Sequence, residues 1–360
     1  TRRCLVVGGG IAGLQAALDI AGAGYPVVLV ERSDHLGGKM AQLSGTYLNL
    51  VRGDELLRSR VEAVMHHEAI QVLMQSEVRE LSGYVGNFQA KVRKNEPCEG
   101  GPEEFSFEVG AVVVASGWDR YDPSRLPEYG AGDIPDVIDG LAFEQMLADE
   151  RGLHCPSDGR VPRTAVFVQC AGSRDRERGV PYCSKVCCMV VAKQAMEFRR
   201  RVPDGQAVVF YIDIRSAGKG YEEYVQRAMA DYGVLYLRGK VSRIFSEDGK
   251  VQVWGADTLS GHAVEVAADL VVLATPIAAS QGAADLGQRL RISSDAYGFF
   301  NEAHPKLRPV ETLTAGVYLA GACQGPKDIP ETVAQASGAA AKVLQPVSYT
   351  HLTLPTNREV

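Results

Sequence analysis

The sequence predicts an α/β fold with two domains, each built on a parallel sheet, and three observations predict it. Near the N-terminus an apolar run leads into a glycine-rich turn and then a helical stretch. A second strand–turn–helix–strand pattern occupies the middle of the chain, with cysteines where the first has glycines. Two further apolar runs, Ala111–Ala115 and Leu270–Ala274, each end on small residues.

The first pattern is the most regular. Cys4–Val7 reads as a strand, Gly8-Gly9-Gly10-Ile11-Ala12-Gly13 as a turn, Leu14–Ala21 as a helix and Val27–Val30 as a second strand ending at Glu31. This is a βαβ unit with the GxGxxG dinucleotide fingerprint in its required context. Gly8 permits the tight turn, Gly10 lets backbone approach a pyrophosphate, and Gly13 lets helix and strand pack closely. Unpaired N–H groups at the helix start then face the phosphates. Glu31, 18 residues after Gly13, is placed to accept hydrogen bonds from a ribose. A glycine pair follows in Leu36-Gly37-Gly38-Lys39.

The second pattern comprises a strand at Thr164–Val168, a helix at Lys185–Arg199 and a strand at Ala207–Ile212 that ends near Asp213. Leu235–Leu237, Val241–Phe245 and Val251–Trp254 read as further sheet. The turn here is Cys170-Ala171-Gly172-Ser173-Arg174-Asp175, which is not GxGxxG, so a nicotinamide site in the usual place is not expected. Residues 118–162, rich in Asp, Pro and Gly, read as a loop-and-helix connection.

Composition narrows the function classes. The 360 residues are 46% hydrophobic and 23% charged, with a net charge of −6, which gives no reason to expect nucleic acid or an anionic membrane as partner. No apolar stretch reaches the roughly 18–20 residues of a spanning helix. A secretion signal is not recognisable in the sequence as it stands, and a cytoplasmic location is expected. The final residues 347–360 lack amphipathic period and resemble translated cloning sequence, so they are set aside from the fold. The seven histidines, including His66-His67, show no metal spacing.

Four of the eight cysteines, Cys170, Cys183, Cys187 and Cys188, fall within one strand-to-helix turn in a C-x12-C-x3-C-C spacing. Such clustering in a large chain favours a metal site or redox chemistry over structural disulfides. Four thiolates suit a [4Fe–4S] cluster, and helix N–H groups, with Arg174 and Lys185, ease its negative charge. Zinc, a thiol redox pair and inert buried thiols are the competing readings, and the two CxxC knuckles usual for zinc are missing.

The layout resembles two-dinucleotide-domain flavoproteins of the thioredoxin-reductase-like kind over about residues 1–346, which implies FAD in a split first domain. The expected division is then 1–118 with 266–346 for FAD, 119–162 as a connecting insertion, and 163–265 for the cysteine-bearing domain. Three blocks carry a narrower resemblance: Val168–Asp175, Tyr182–Met189 and Gly325–Pro330. They resemble the A-type subunit of heterodisulfide reductase and the related flavoprotein of quinone-interacting oxidoreductases. In that family the four cysteines bind a [4Fe–4S] cluster beside FAD. The extra C-x2-C-x2-C runs of the long methanogen-type subunits do not occur here. The chain therefore resembles the short form found in sulfur-oxidising prokaryotes.

That resemblance implies candidate FAD contacts. They are Gly8, Gly10, Ile11, Ala12 and Gly13 in the turn; Glu31, Arg32, Gly38 and Lys39 after the second strand; and Val78, Ser116 and Gly117. Toward the C-terminus they are Gly321, Ala322, Lys327, Asp328, Ile329, Pro330 and Thr332. Ala322 stands where such flavoproteins have a ribityl-binding aspartate, so only its backbone can serve. A helix starting near Glu331 would turn its positive end to the flavin. Lys193 and Cys323 are the candidate catalytic residues: Lys193 toward flavin N5 or else an edge-of-helix lysine, Cys323 near the flavin or else a core thiol. The resemblance further implies an electron-transfer role within a complex, with B- and C-type partner subunits, a lipoate-carrying protein as sulfur donor in the sulfur-oxidising version, and a homodimer by analogy. Two rival expectations are an NAD(P)H-dependent disulfide reductase using a pair such as Cys183/Cys187, kept open by Asp213, and a non-enzymatic flavin-bound scaffold with a structural metal.

Overall fold

The computed structural model describes residues 1–95 and 103–348; Cys98 and residues 349–360 of the tail lie outside the described residues. The chain begins β1 (Cys4–Val7), α1 (Ile11–Gly22), β2 (Val27–Val30), α2 (Gly53–Met65), β3 (Ile70–Leu73), β4 (Ser76–Tyr84), β5 (Asn87–Lys94), β6 (Glu104–Val109), β7 (Ala111–Val114) and β8 (Trp118–Arg120). It continues β9 (Val137–Asp139), α3 (Gly140–Ala148), β10 (Thr164–Val168), α4 (Cys187–Arg201), β11 (Gln206–Tyr211), α5 (Tyr221–Ala230) and β12 (Leu235–Arg238). Then follow β13 (Val241–Glu247), β14 (Lys250–Asp257), β15 (His262–Ala268), β16 (Leu270–Leu273), β17 (Ile277–Ala279), α6 (Ala283–Leu290), β18 (Val317–Leu319) and α7 (Ile329–Ser348). Packing divides it into two units: residues 1–40, 57–119 and 279–360, and residues 41–56 and 120–278.

The first unit is built on a parallel sheet in the order β18-β7-β1-β2-β3. Its central strands read CLVV, VVLV and AVVV and are buried at every position, as expected of a sheet covered on both faces. Alternation assigns the faces. Cys4, Val6, Val27, Leu29, Ala111 and Val113 pack with Leu14, Ala17 and Ile20 of α1 and Ala336, Ala339 and Val343 of α7. Leu5, Val7, Val28, Val30, Val112 and Val114 pack on the antiparallel ribbon β4-β5-β6 through Val78, Leu81, Phe88, Val92 and Phe107.

The second unit repeats the plan. Its parallel sheet runs β12-β11-β10-β16-β9. Ala165, Phe167, Ala207, Val209 and Leu270 face Phe143 of α3, Met189 and Phe198 of α4 and Tyr224 of α5. Val166, Val168, Val208, Phe210 and Val271 face the ribbon β13-β14-β15 through Val241, Ile244, Val251 and Val253. Two sequence expectations change here. The apolar run at 270–274 forms a strand, but it pairs with β10 in register Ala165↔Leu270 and so joins the cysteine-bearing sheet. The segment 118–162 is more than a connection, since it supplies β9 as the sheet edge and α3 as a core helix. Residues 41–56 group with this unit, where Tyr47 meets the Tyr221 ring edge-on at 5.7 Å.

Candidate functional site

In the first unit the turn between β1 and α1 is fixed by steric necessity. Gly8 has φ +109°, and a Cβ there would lie 2.3 Å from the Ala115 carbonyl oxygen. A Cβ on Gly13 would lie 1.8 Å from the Gly8 oxygen. At Gly10 the nearest atom to such a Cβ is 4.0 Å away, so the space above the turn is open. Gly10 is also the N-cap of α1, with no side-chain cap and no acidic residue in the first turn. The first N–H groups of α1, beginning at Ile11 and Ala12, thus keep their partial positive charge for an anion.

Glu31 closes one side of this cradle. Its Oε2 accepts from Gly9 N at 2.6 Å, and its Oε1 from Ser33 N and Oγ at 2.8 and 2.7 Å. Oε2 retains acceptor capacity for a hydroxyl. Gly37 N donates to Gly9 O at 2.8 Å, which seats Gly38 beside Gly10. Lys39 and Arg32 both reach Asp119, at 3.6 and 3.7 Å, just beyond Ser116 and Gly117. The Ser116 hydroxyl is buried and has no hydrogen-bond partner. Val78 lies in β4, two residues past Ser76, whose N–H donates to the Glu31 carbonyl at 2.8 Å; its own carbonyl accepts from Arg289 and its side chain packs in the ribbon core.

The C-terminal candidates meet the same turn. Gly321, at φ +77°, has Ala12 on one side and Thr332 on the other, leaving no room for a Cβ. Asp328 accepts from Glu331 N at 2.8 Å while Asp328 N donates to Glu331 Oε2 at 3.3 Å, a capping box that starts α7 at Ile329 and Pro330. Lys327 precedes that box, and Ala322 is buried beside Gly321. Cys323 is packed under the sheet, its thiol donating to the Val114 and Ala320 carbonyls at 3.2 and 3.3 Å. Burial pushes that thiol up to about 11, so it is a neutral core group. An uncapped helix start, an open glycine and an orphaned hydroxyl converging on one turn fit the pyrophosphate and sugar of FAD.

In the second unit the loop after β10 folds as a small hairpin. Val180 N donates to Gly172 O and Asp175 N to Val180 O, while Arg174 N donates to Tyr182 O, so the chain returns to Cys183 beside Cys170. Ser184 is fully buried and its hydroxyl accepts from Ile277 N at 2.9 Å. Cys170, Arg174 and Lys185 all adopt positive φ (57°, 58° and 66°), a strain that persists only where surroundings enforce it. Cys187 and Cys188 open α4, which has no side-chain cap. All four thiols are free. Burial raises Cys170, and the neighbouring Cys183 adds to the effect. Burial likewise raises Cys187, helped by Cys188, Cys170 and Cys183, and pushes Cys188 up to about 11. Cys183 is among the neighbours that raise each of the other three, so the four sulfurs lie close together.

Around them stand donors, of which the sequence singled out Arg174 and Lys185 but not Arg215. Arg215 N donates to Cys188 Sγ at 3.3 Å, and Lys185 N to Cys183 Sγ at 3.2 Å. Arg174 hydrogen-bonds Cys170 and pairs with Asp213 at 2.7 Å, so the acid that keeps the NAD(P)H-dependent reading open is held by a guanidinium. Among the described residues no group of three or more His, Cys, Asp or Glu is spaced to hold a single metal ion. A [4Fe–4S] cube is a larger body held by four thiolates, and a strained loop, an uncapped helix start and N–H donors aimed at sulfur fit it.

Lys193 is placed inside the second unit rather than at an edge. It is 3% exposed, and its ammonium donates to Glu144 Oε2 at 2.5 Å, Gly45 O at 2.8 Å and Ser44 Oγ at 3.3 Å. All three N–H groups are used. Glu144 also accepts from Ser44 N and Oγ and from Gln194 Nε2. This network holds residues 44–45 against α3 and α4. Glu144 carries a sequence signal of its own, as the charged residue inside an apolar helix, Gly140–Ala148.

Comparison with known proteins agrees with the first unit. Residues 4–113 match the FAD dependent oxidoreductase family. The chain is 37% identical over 421 aligned residues to the A subunit of the H(2):CoB-CoM heterodisulfide,ferredoxin reductase of Methanothermobacter marburgensis, covering 96% of this chain and 64% of the relative. It is 35% identical to the iron-sulfur A subunit of the CoB--CoM heterodisulfide reductase of Methanocaldococcus jannaschii, with the same coverages. Over nearly its whole length the chain is similar to those A-type subunits, and its first unit carries the match to the FAD dependent oxidoreductase family. The chain spans a little under two thirds of the length of these relatives. Among solved structures, thioredoxin reductase of T. acidophilum superposes with TM-score 0.61 at 16% identity, covering 96% of this chain and 98% of that one. Thioredoxin reductase of Lactococcus lactis gives 0.60 at 18%, with 97% and 99% covered. The fold is that of the thioredoxin-reductase-like flavoproteins. No helix among the described residues is long and apolar enough to cross a membrane.

Proposed function

We propose that the chain is the electron-transfer component of a heterodisulfide-reductase-like assembly, holding FAD in the first unit and a [4Fe–4S] cluster on Cys170, Cys183, Cys187 and Cys188 in the second. The observation that supports this best is the turn between β10 and α4, where a strained hairpin gathers four free thiols close together. FAD, when bound, exchanges electrons singly or in pairs, and a cluster exchanges them singly. The chain's own residues bind and position. The α1 N-terminus and Glu31 hold the dinucleotide, Ser116 and the Gly321 turn border it, and Arg174, Arg215 N and Lys185 N offset negative charge at the sulfurs. On this reading B- and C-type subunits supply the thiol or disulfide chemistry, a lipoate-carrying protein serves as sulfur donor in a sulfur-oxidising setting, and the assembly works in the cytoplasm.

The test is anaerobic expression of the full chain with iron, zinc and flavin measured per chain, followed by EPR of the dithionite-reduced protein and of Cys187→Ser. About four irons and one FAD, with a signal altered by the substitution, are expected. Flavin without iron after reconstitution refutes the cluster. Rapid bleaching by NADH would favour a self-contained disulfide reductase, and zinc without a reducible centre would favour a scaffold.

A further inference from the structure

Gln169 stands between the end of β10 and Cys170 and is 5% exposed. Its backbone N–H is spent on the Phe210 carbonyl at 2.9 Å. Its side-chain Oε1 accepts the Cys188 thiol at 3.4 Å. Its Nε2, equally shut off from solvent, has no hydrogen-bond partner. A buried donor left unpaired is costly, and leucine or methionine would fill the same space without that cost. The amide therefore lies within reach of the Cys188 sulfur with one donor unspent.

Cys188 changes state when it binds metal, because a ligating thiol gives up its proton. Its sulfur then stops donating and becomes an acceptor, so Oε1 would face lone pairs. The terminal torsion of glutamine is broad and two-fold. Half a rotation exchanges Oε1 and Nε2, putting an N–H where the oxygen now sits, against the sulfur. The thiolate would then accept two N–H groups, from the Gln169 amide and from Arg215 N, which is already at 3.3 Å. Hydrogen bonds to sulfur are among the factors that set a cluster's reduction potential.

We propose that Gln169 is a positioning residue that donates to the Cys188 sulfur when the cluster is bound and raises its reduction potential. The inference rests on the reading that the four cysteines hold a cluster. The hydrogen bond draws electron density from the sulfur and favours the state carrying one more electron. That electron enters from a mediator, and no covalent bond changes.

The experiment is a mediated redox titration of the full chain, prepared anaerobically and followed by EPR, for the native protein, Gln169→Leu and Gln169→Glu. The midpoint of Gln169→Leu is expected to fall by the order of one tenfold step in the reduction equilibrium, about 59 mV for a one-electron couple. Gln169→Glu, isosteric but without the N–H, falls at least as far and carries the decision if the leucine variant does not fold. Midpoints equal to the native value in iron-loaded variants overturn the role of Gln169 and leave the cluster reading intact. Loss of iron from both variants also overturns it, since a residue that only tunes potential is not needed to hold metal. A native chain that binds no iron refutes the cluster reading itself.

Discussion

Replacing Lys193 with methionine tests whether this lysine is structural or catalytic. The substitution keeps the length of the side chain and removes an ammonium whose three N–H groups are all engaged. Glu144, 1% exposed, is then left with only Ser44 and Gln194 as partners. Removing one partner of a buried ion pair costs about 3–5 kcal/mol, because the other charge stays buried without compensation. For a unit of this size each kcal/mol shifts Tm by roughly 2–4 °C, so a fall of about 6–20 °C is expected. Removing both charges in Lys193→Met/Glu144→Met leaves two apolar side chains beside Phe143, Met146 and Met189, and this should cost less than either single change. The assay is calorimetry of the three variants, beside stopped-flow reduction of the flavin. A Lys193→Met chain that melts with the native protein but no longer passes electrons would refute the structural account and return the residue to the chemistry.

Other predictions concern separate parts of the molecule. Gly13→Ala and Gly10→Ala should behave differently. The first drives a Cβ into the Gly8 carbonyl and destabilises by at least about 1–3 kcal/mol, while the second meets nothing within 4.0 Å, keeps its Tm and loses FAD, as flavin absorbance per chain will show. Cys323→Ala should leave flavin reduction unchanged, since its thiol is a neutral core group, and an altered photoreduction rate would contradict that. Asp175 is held at about 2 by the N–H groups of Arg178 and Glu177 and by the Lys240 ammonium. A depressed carboxyl stabilises the fold above its unfolded pKa near 4 and loses that stabilisation as pH falls toward 2. Lys240 is exposed to solvent, which screens the pair. Asp175→Asn should therefore cost no more than about 1 kcal/mol in urea unfolding at pH 7, and nothing near pH 2. A difference that persists in acid would argue against the charge.

The βαβ unit is legible in the sequence because everything that defines it is local: four apolar residues, three required glycines and an acid at the end of β2. The cysteine turn is legible for the same reason. The fate of Leu270–Leu273 is not. Four consecutive apolar residues buried on both faces have no periodicity, and only pairing across the chain decides which sheet receives them. Lys193 shows a further limit. Its position five residues after Cys188 suggests reach toward a flavin, whereas Glu144 and Ser44, 49 and 149 residues away, claim its charge. The carbonyl of Val78 likewise takes its partner, Arg289, from 211 residues on. Long-range partners of this kind leave no local signature.

Burial around the cysteine turn also bears on how its thiols meet oxidants. Peroxides and other oxidants attack thiolates rather than thiols. Cys170, Cys187 and Cys188 are pushed up first by burial, which disfavours that form. The same enclosure that makes them slow to surrender protons therefore keeps them chemically quiet.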